Sequence, residues 1–308
     1  MEAEGIMEQR SSDTTIHDLP DHILQHILSL LFSTKYAVRT CVLSKRWVYL
    51  WKDISNILLP QTGFKSRQQF INFVSRFYQV YDRSNIRSLF FCCQVGEDAP
   101  QINEWLQGFI NPNIQELSVY VGETKEPLVF PEHLFTCATL TKFKVCMKHI
   151  FKIPFSIQFE SLRTLTLNSI IFPDTSSTQQ FFNGCPCLEV LDLYYCNWMN
   201  VDSVCICPPM LQKVTIIEGR GKDKPNEATR VSNYCNVMID GNSLKSFSYR
   251  GDLRNDYFLY SSTSVMIASI DIHAPKSWNK NVALFVFKLL HALSNAENLS
   301  ITPISLSV

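Results

Sequence analysis

A six-residue phrase with apolar residues at its first, fourth and sixth positions recurs nine times between residues 86 and 301. No other feature of the chain constrains its fold as much. The copies are IRSLFF (86–91), IQELSV (114–119), LTKFKV (140–145), LRTLTL (162–167), LEVLDL (188–193), LQKVTI (211–216), LKSFSY (244–249), IASIDI (267–272) and AENLSI (296–301). Their starts lie 28, 26, 22, 26, 23, 33, 23 and 29 residues apart. Side chains alternate between the two faces of a strand, so the fourth and sixth positions enter a core while the third, fifth and seventh face outward. A unit this small cannot bury its apolar side alone, so successive units must stack.

Repeats of about 20–29 residues are the leucine-rich-repeat range, which predicts an irregular solenoid with a curved parallel sheet. Unrelated strands of an α/β domain are the weaker alternative, because no long helices accompany the phrases. The outward positions then line the concave face. Tyr120, Lys142, Lys144, Tyr194, Lys213 and Arg250 fall there and are candidate contacts for a protein substrate, since aromatic and arginine side chains dominate many binding hot spots. Asp192, Asp271 and His273 share the face, but Asp192 lies in a repeat far from the other two, and Asp271 and His273 by themselves are read as ordinary surface residues. The 33-residue step requires an insertion, placing the polar segment 219–235 in a projecting loop.

Upstream of the phrases the pattern changes from period two to helical. Ile23, Leu24, Ile27, Leu28 and Leu31 make one stripe, opened by Pro20 and Asp21. A second helix, capped by Ser33 or Thr34, runs through Ala37, Val38, Cys41 and Val42. Ser44 is expected to cap a third, carrying Trp47, Leu50 and Trp51. Lys45 and Arg46 oppose its dipole and are read as partner-facing or solvated. So many apolar residues exceed what one small helical unit can bury, which suggests a docking surface.

The run LPDHILQHILSLL followed by AVRTCVLSKRWVYLW resembles the F-box of plant F-box proteins with leucine-rich repeats, and GCPCLEVL (184–191) resembles the GCPxLExL phrase of their repeats. The resemblance implies a fold of α/β class: an N-terminal three-helix F-box over residues 16–60, a linker helix over 61–85, and about nine repeats over 86–308, after a polar, disordered tail at 1–15. It implies that the F-box binds a Skp-type adaptor and, through it, cullin and RING subunits of an SCF-type ubiquitin ligase. The repeats would then select an unknown protein substrate for ubiquitination and degradation. Matching apolar positions are Leu19, Pro20, Ile23, Leu24, Ile27, Leu28, Val38, Leu43, Trp47, Leu50 and Trp51. Some must hold the helices together and others face the adaptor; the sequence does not separate the two sets. A non-degradative scaffold or a small-ligand receptor is the alternative. Similar F-boxes read like SFLPTK between the first two helices, whereas this chain has SLLFSTK, with one extra residue and no proline; a loop is expected to absorb it. Similar proteins often continue into an FBD region, expected here to be absent or truncated.

The remaining chemistry is sparse. Equal numbers of acidic and basic residues, 28 each, argue against a general nucleic-acid or anionic-membrane binder. The N-terminal residues lack the basic start and apolar core of a secretory signal, so the eleven cysteines are expected to be reduced in an intracellular, cytoplasmic or nuclear protein. Cys185-Pro-Cys187 and Cys205-Ile-Cys207 have the wrong spacing for zinc, so no metal or cofactor is expected. No phosphate loop, GxSxG or HExxH motif is present, which argues against an enzyme on sequence grounds.

Overall fold

The computed structural model describes residues 15–95, 98–122, 126–219, 234–273 and 280–302. The expected tail, apart from Thr15, and most of the expected loop at 219–235 (residues 220–233) lie outside these.

Each repeated phrase forms one strand of a single parallel sheet. In chain order the strands are β1 (Asn56–Pro60), β2 (Ser88–Cys93), β3 (Glu116–Val121), β4 (Lys142–Cys146), β5 (Thr164–Asn168), β6 (Val190–Tyr194), β7 (Ser203–Ile206), β8 (Lys213–Ile217), β9 (Asn236–Asp240), β10 (Ser246–Gly251), β11 (Asp256–Tyr260), β12 (Ile267–Ile272) and β13 (Asn298–Ile301). The large sheet runs β1-β2-β3-β4-β5-β6-β8-β10-β12-β13, and β11-β9-β7 form a second, three-stranded one. Along β2 the burial alternates as the phrase requires, with Leu89 and Phe91 buried and Ser88, Phe90 and Cys92 half-buried.

A backbone ladder just before the strands fixes the register. Gln115 N–H donates to Arg87 O, Thr141 to Gln115, Arg163 to Thr141, Glu189 to Arg163, Gln212 to Glu189 and Lys245 to Gln212. Met266 continues it by donating to Lys245 O, so the eighth phrase begins at Val265 rather than Ile267. Ala268 accordingly pairs with Phe247, and Val265, Ala268 and Ile270 are the buried set. The shift of two residues preserves parity, so Ser269 and Asp271 stay on the expected face.

The convex side is built by α4 (Arg67–Val80), α5 (Ala99–Phe109), α6 (Thr175–Asn183), α7 (Lys280–Ala292) and the small sheet. Gly108 of α5 lets α4 approach closely: a Cβ there would sit 2.1 Å from the Tyr78 hydroxyl. A phenylalanine-rich core lies between the layers, with Phe143, Phe151, Phe159 and Phe181 in mutual ring contact. Cys185 is buried there, and burial pushes its thiol up to about 12. The edge of the small sheet is covered by a side chain: Gln179 donates to Cys205 O at 2.8 Å and accepts from Cys205 N–H at 2.7 Å.

Helix α4 is the crossover between β1 and β2, so the sheet extends one strand beyond the first phrase. The place beside that end strand belongs to three short N-terminal helices, α1 (Asp21–Ser29), α2 (Thr34–Arg39) and α3 (Trp47–Leu50).

Candidate docking faces

Among the motif positions of the helical unit, Leu24, Leu28, Trp47, Leu50 and Trp51 are buried. They hold it together and rest on the solenoid, where Trp51 stacks on Tyr81 at 6.4 Å. Leu19, Ile27 and Val38 are half-buried against the same core, while Pro20, Ile23 and Leu43 are exposed. Those three carry the outward apolar character among the motif positions. Pro20 is the cap residue preceding α1 rather than its first helical residue.

Local geometry adds exposed residues that a helical pattern misses. Residues Thr40–Val42 form a 3-10 turn after α2, which advances about 120° per residue instead of about 100°. Val42, which a continued helix would tuck inward, is 84% exposed. The third helix is a single turn capped at Arg46, not at Ser44, and Tyr49 on it is exposed. Arg46 is not free for a partner: its Nε donates to Asp21 Oδ1 at 2.6 Å and its Nη2 to Leu19 O at 2.5 Å. It thereby ties the start of α3 to the start of α1. The extra junction residue lies in the loop between α1 and α2, and Ser33 caps α2 by accepting from Lys35 N–H.

The unit is fastened to the sheet. Thr34 Oγ1 accepts from the Leu58 N–H of edge strand β1 at 2.8 Å, and Asn56 donates to Ser29 O at 3.2 Å. Lys35 Nζ donates to Gly63 O at 2.6 Å and sits over the Phe64 ring. The Tyr81 hydroxyl donates to Ile54 O.

On the concave face the structure places all six expected substrate contacts, but spreads them over five strands. In the row at the strands' C-terminal ends, Cys92, Tyr120, Cys146, Asn168, Tyr194, Ile217, Arg250 and Asp271 are successive register partners. Tyr120 leans on Phe90 at 5.5 Å. Burial raises the Tyr120 and Tyr194 phenols and the Cys92 and Cys146 thiols, so these four members of the row are uncharged near neutral pH. Lys142 and Lys213 lie in the first row and Lys144 in the middle one; Lys142 is paired with Glu116 at 2.6 Å.

The row ends at a cleft of about 380 Å³ lined by Tyr195, Ile217, Glu218, Arg250, Asp271 and His273. Asp271 and His273 are thus not isolated surface residues. Arg250 Nε donates to Asp271 Oδ2 at 2.8 Å, and the imidazole sits between Asp252 at 3.6 Å and Asp271 at 3.9 Å. Tyr195 holds φ at +55°, a left-handed conformation costly for a non-glycine residue, and is exposed at the cleft. Glu218 is buried beneath, with each carboxylate oxygen accepting two hydrogen bonds. Oε1 takes Asn255 Nδ2 and the Tyr257 hydroxyl, both at 2.9 Å; Oε2 takes the Tyr249 hydroxyl at 2.7 Å and Arg254 N–H at 3.0 Å. Burial, then the neighbouring carboxylate, raises both phenols well above their ordinary value. Nothing in a single sequence flags Glu218, since its donors come from up to 39 positions away. Among the described residues no group of three or more His, Cys, Asp or Glu is placed to hold a metal, and no helix is long and apolar enough to cross a membrane.

A stacked parallel sheet repeating the LxxLxL phrase, with helices or a second sheet on its convex side, defines a leucine-rich-repeat protein. Residues 102–232 match the family described as FBD-associated F-box protein At5g56370, LRR repeats. The chain belongs to the plant F-box/LRR-repeat proteins. It is similar to the Arabidopsis thaliana F-box/LRR-repeat protein At3g26922, with 27% identity covering 96% of this chain and 90% of the relative. F-box/LRR-repeat protein At3g59210 is 28% identical over 89% of this chain, and FBD-associated F-box protein At5g56370 is 33% identical over 67%; both are from the same plant. The chain spans only 57% and 49% of these two relatives.

Proposed function

We propose that this protein is a non-catalytic substrate-recognition subunit of an SCF-type ubiquitin ligase. Its N-terminal helical unit, lying within about residues 16–60, is the F-box and binds a Skp-type adaptor, which recruits cullin and RING subunits. The repeats hold a protein substrate for ubiquitination inside the cell. The observation that carries this reading is the N-terminal unit itself: it leaves Pro20, Ile23, Val42, Leu43 and Tyr49 exposed while its buried face is locked onto the first strand of the sheet. An apolar exposed face suits a protein partner. Rigid attachment suits a ligase, because ubiquitin transfer requires the substrate to stay within reach of the partner enzyme.

The test is capture of a Skp-type adaptor and cullin by the tagged full chain in plant cells. The double variant Ile23→Asp/Leu43→Asp places two charges on the exposed face and none in the core. It should lose both partners while unfolding at the wild-type temperature. Undiminished capture by that variant, or no capture by the wild type, would overturn the assignment.

A further inference from the structure

The concave face is chemically graded along its length. At the N-terminal end Phe90, Cys92, Tyr120 and Cys146 form a weakly polar, uncharged patch across three adjacent strands. At the other end is the cleft around Arg250. Hydrogen-bonding capacity there is unevenly spent. Glu218 already receives four donors, and Asp271 receives Arg250 Nε. The outer guanidinium nitrogens of Arg250 and the Tyr195 hydroxyl have no hydrogen-bond partner among the described residues, and buried His273 Nδ1 has only the Asp252 carboxylate at 3.6 Å. Unused donors on an exposed arginine fit an incoming carboxylate, which guanidinium groups bind in bidentate fashion. The nearby Asp271 and Asp252 weigh against any anion, and about twice as heavily against a doubly charged phosphate as against a single carboxylate.

We infer that the concave face binds an extended peptide segment with an aliphatic or aromatic residue on the Phe90–Tyr120 patch and an aspartate or glutamate side chain on Arg250. This deepens the substrate-receptor reading and rests on it. The distance sets the spacing. From β3 to β10 there are five steps across the sheet, or about 24 Å at about 4.8 Å per step. An extended chain advances about 3.3 Å per residue, and a curved sheet shortens the path on its inner side, so the two anchors lie about six to seven residues apart.

The experiment is selection of a displayed library of random dodecapeptides on the purified full chain, followed by anisotropy measurements with a labelled synthetic peptide of the selected sequence. Wild type should enrich an apolar residue and an Asp or Glu at that spacing. Arg250→Gln should weaken the peptide by about tenfold, and Arg250→Glu should turn the acidic preference into one for Lys or Arg. Tyr120→Ser should erase the apolar preference and leave the acidic one. Both side chains lie outside the core, and matched unfolding curves confirm that each of the three variants is folded. The inference falls if no paired pattern is enriched, or if the acidic preference survives Arg250→Glu. It also falls if phosphoserine in place of the glutamate binds more than about tenfold tighter, which would mark a phosphopeptide site. No adaptor takes part in the selection, so this failure and a failure of the ligase assignment are read separately.

Discussion

Glu218 shows how one residue joins the two sheets of the C-terminal half. Its carboxylate collects donors from β10, β11 and the turn between them, and Gly251 is required beside it because a Cβ there would lie 2.6 Å from Glu218 Cβ. Glu218→Ala would leave two buried phenols and an amide without their acceptor. Each orphaned buried group costs about 1–3 kcal/mol, so the expected loss is about 3 kcal/mol or more in urea unfolding. The Tyr249 and Tyr257 phenols are held protonated well above their ordinary value of 10.0. A proton bound more tightly in the folded state gives stability that is complete below pH about 10 and lost as pH rises above it. Unfolding monitored by tryptophan fluorescence should therefore become steeply easier above that pH, while tyrosinate absorption stays below its full value until the chain opens. Burial likewise pushes the Cys93, Cys185 and Cys235 thiols up to about 12 and closes them off, so they should resist alkylation in the native protein at pH 8; Cys207, whose thiol is also raised by desolvation, is exposed and should react ahead of them.

At the scale of elements, the edge strand β1 matters most, because an unpaired edge invites association with another chain. Here α2 covers it through the Thr34 hydroxyl. Thr34→Val keeps the shape but orphans the Leu58 N–H. It should cost about 1–3 kcal/mol and raise amide exchange at Leu58. The strand phrases and α4 were legible in the sequence, because apolar residues at fixed periods mark a buried face whatever it packs on. Three local features were not. The 3-10 turn that exposes Val42 needs no distinctive residue, and the one-turn α3 is marked by nothing beyond the burial of Trp47 and Leu50. The eighth phrase carries two overlapping apolar patterns, and only hydrogen bonding to its neighbour selects the one starting at Val265.

For the whole molecule, stacking makes stability a sum of neighbouring contacts rather than one central core. Strands in the middle, such as β5, are paired on both sides and buried at Leu165 and Leu167, whereas all four residues of β13 are exposed. Hydrogen exchange should accordingly be slowest at β4–β6 and fast at β13, with the helical unit close to β1 because it is bonded to it. Exchange in α1 and α2 as fast as in β13 would show that the unit is hinged rather than fastened.

The one-dimensional chain determined the repeat, the parallel sheet, the face each strand residue takes and the apolar excess of the first fifty residues. These depend on periodicity, a property of neighbours along the chain. Only the tertiary structure decided which N-terminal residues face out, that Arg46 is an internal tie, and that Arg250, Asp271, His273 and Glu218 share one cleft. Those outcomes depend on which turns of the solenoid lie side by side, and contacts between residues 20 to 40 positions apart leave no mark in the local pattern.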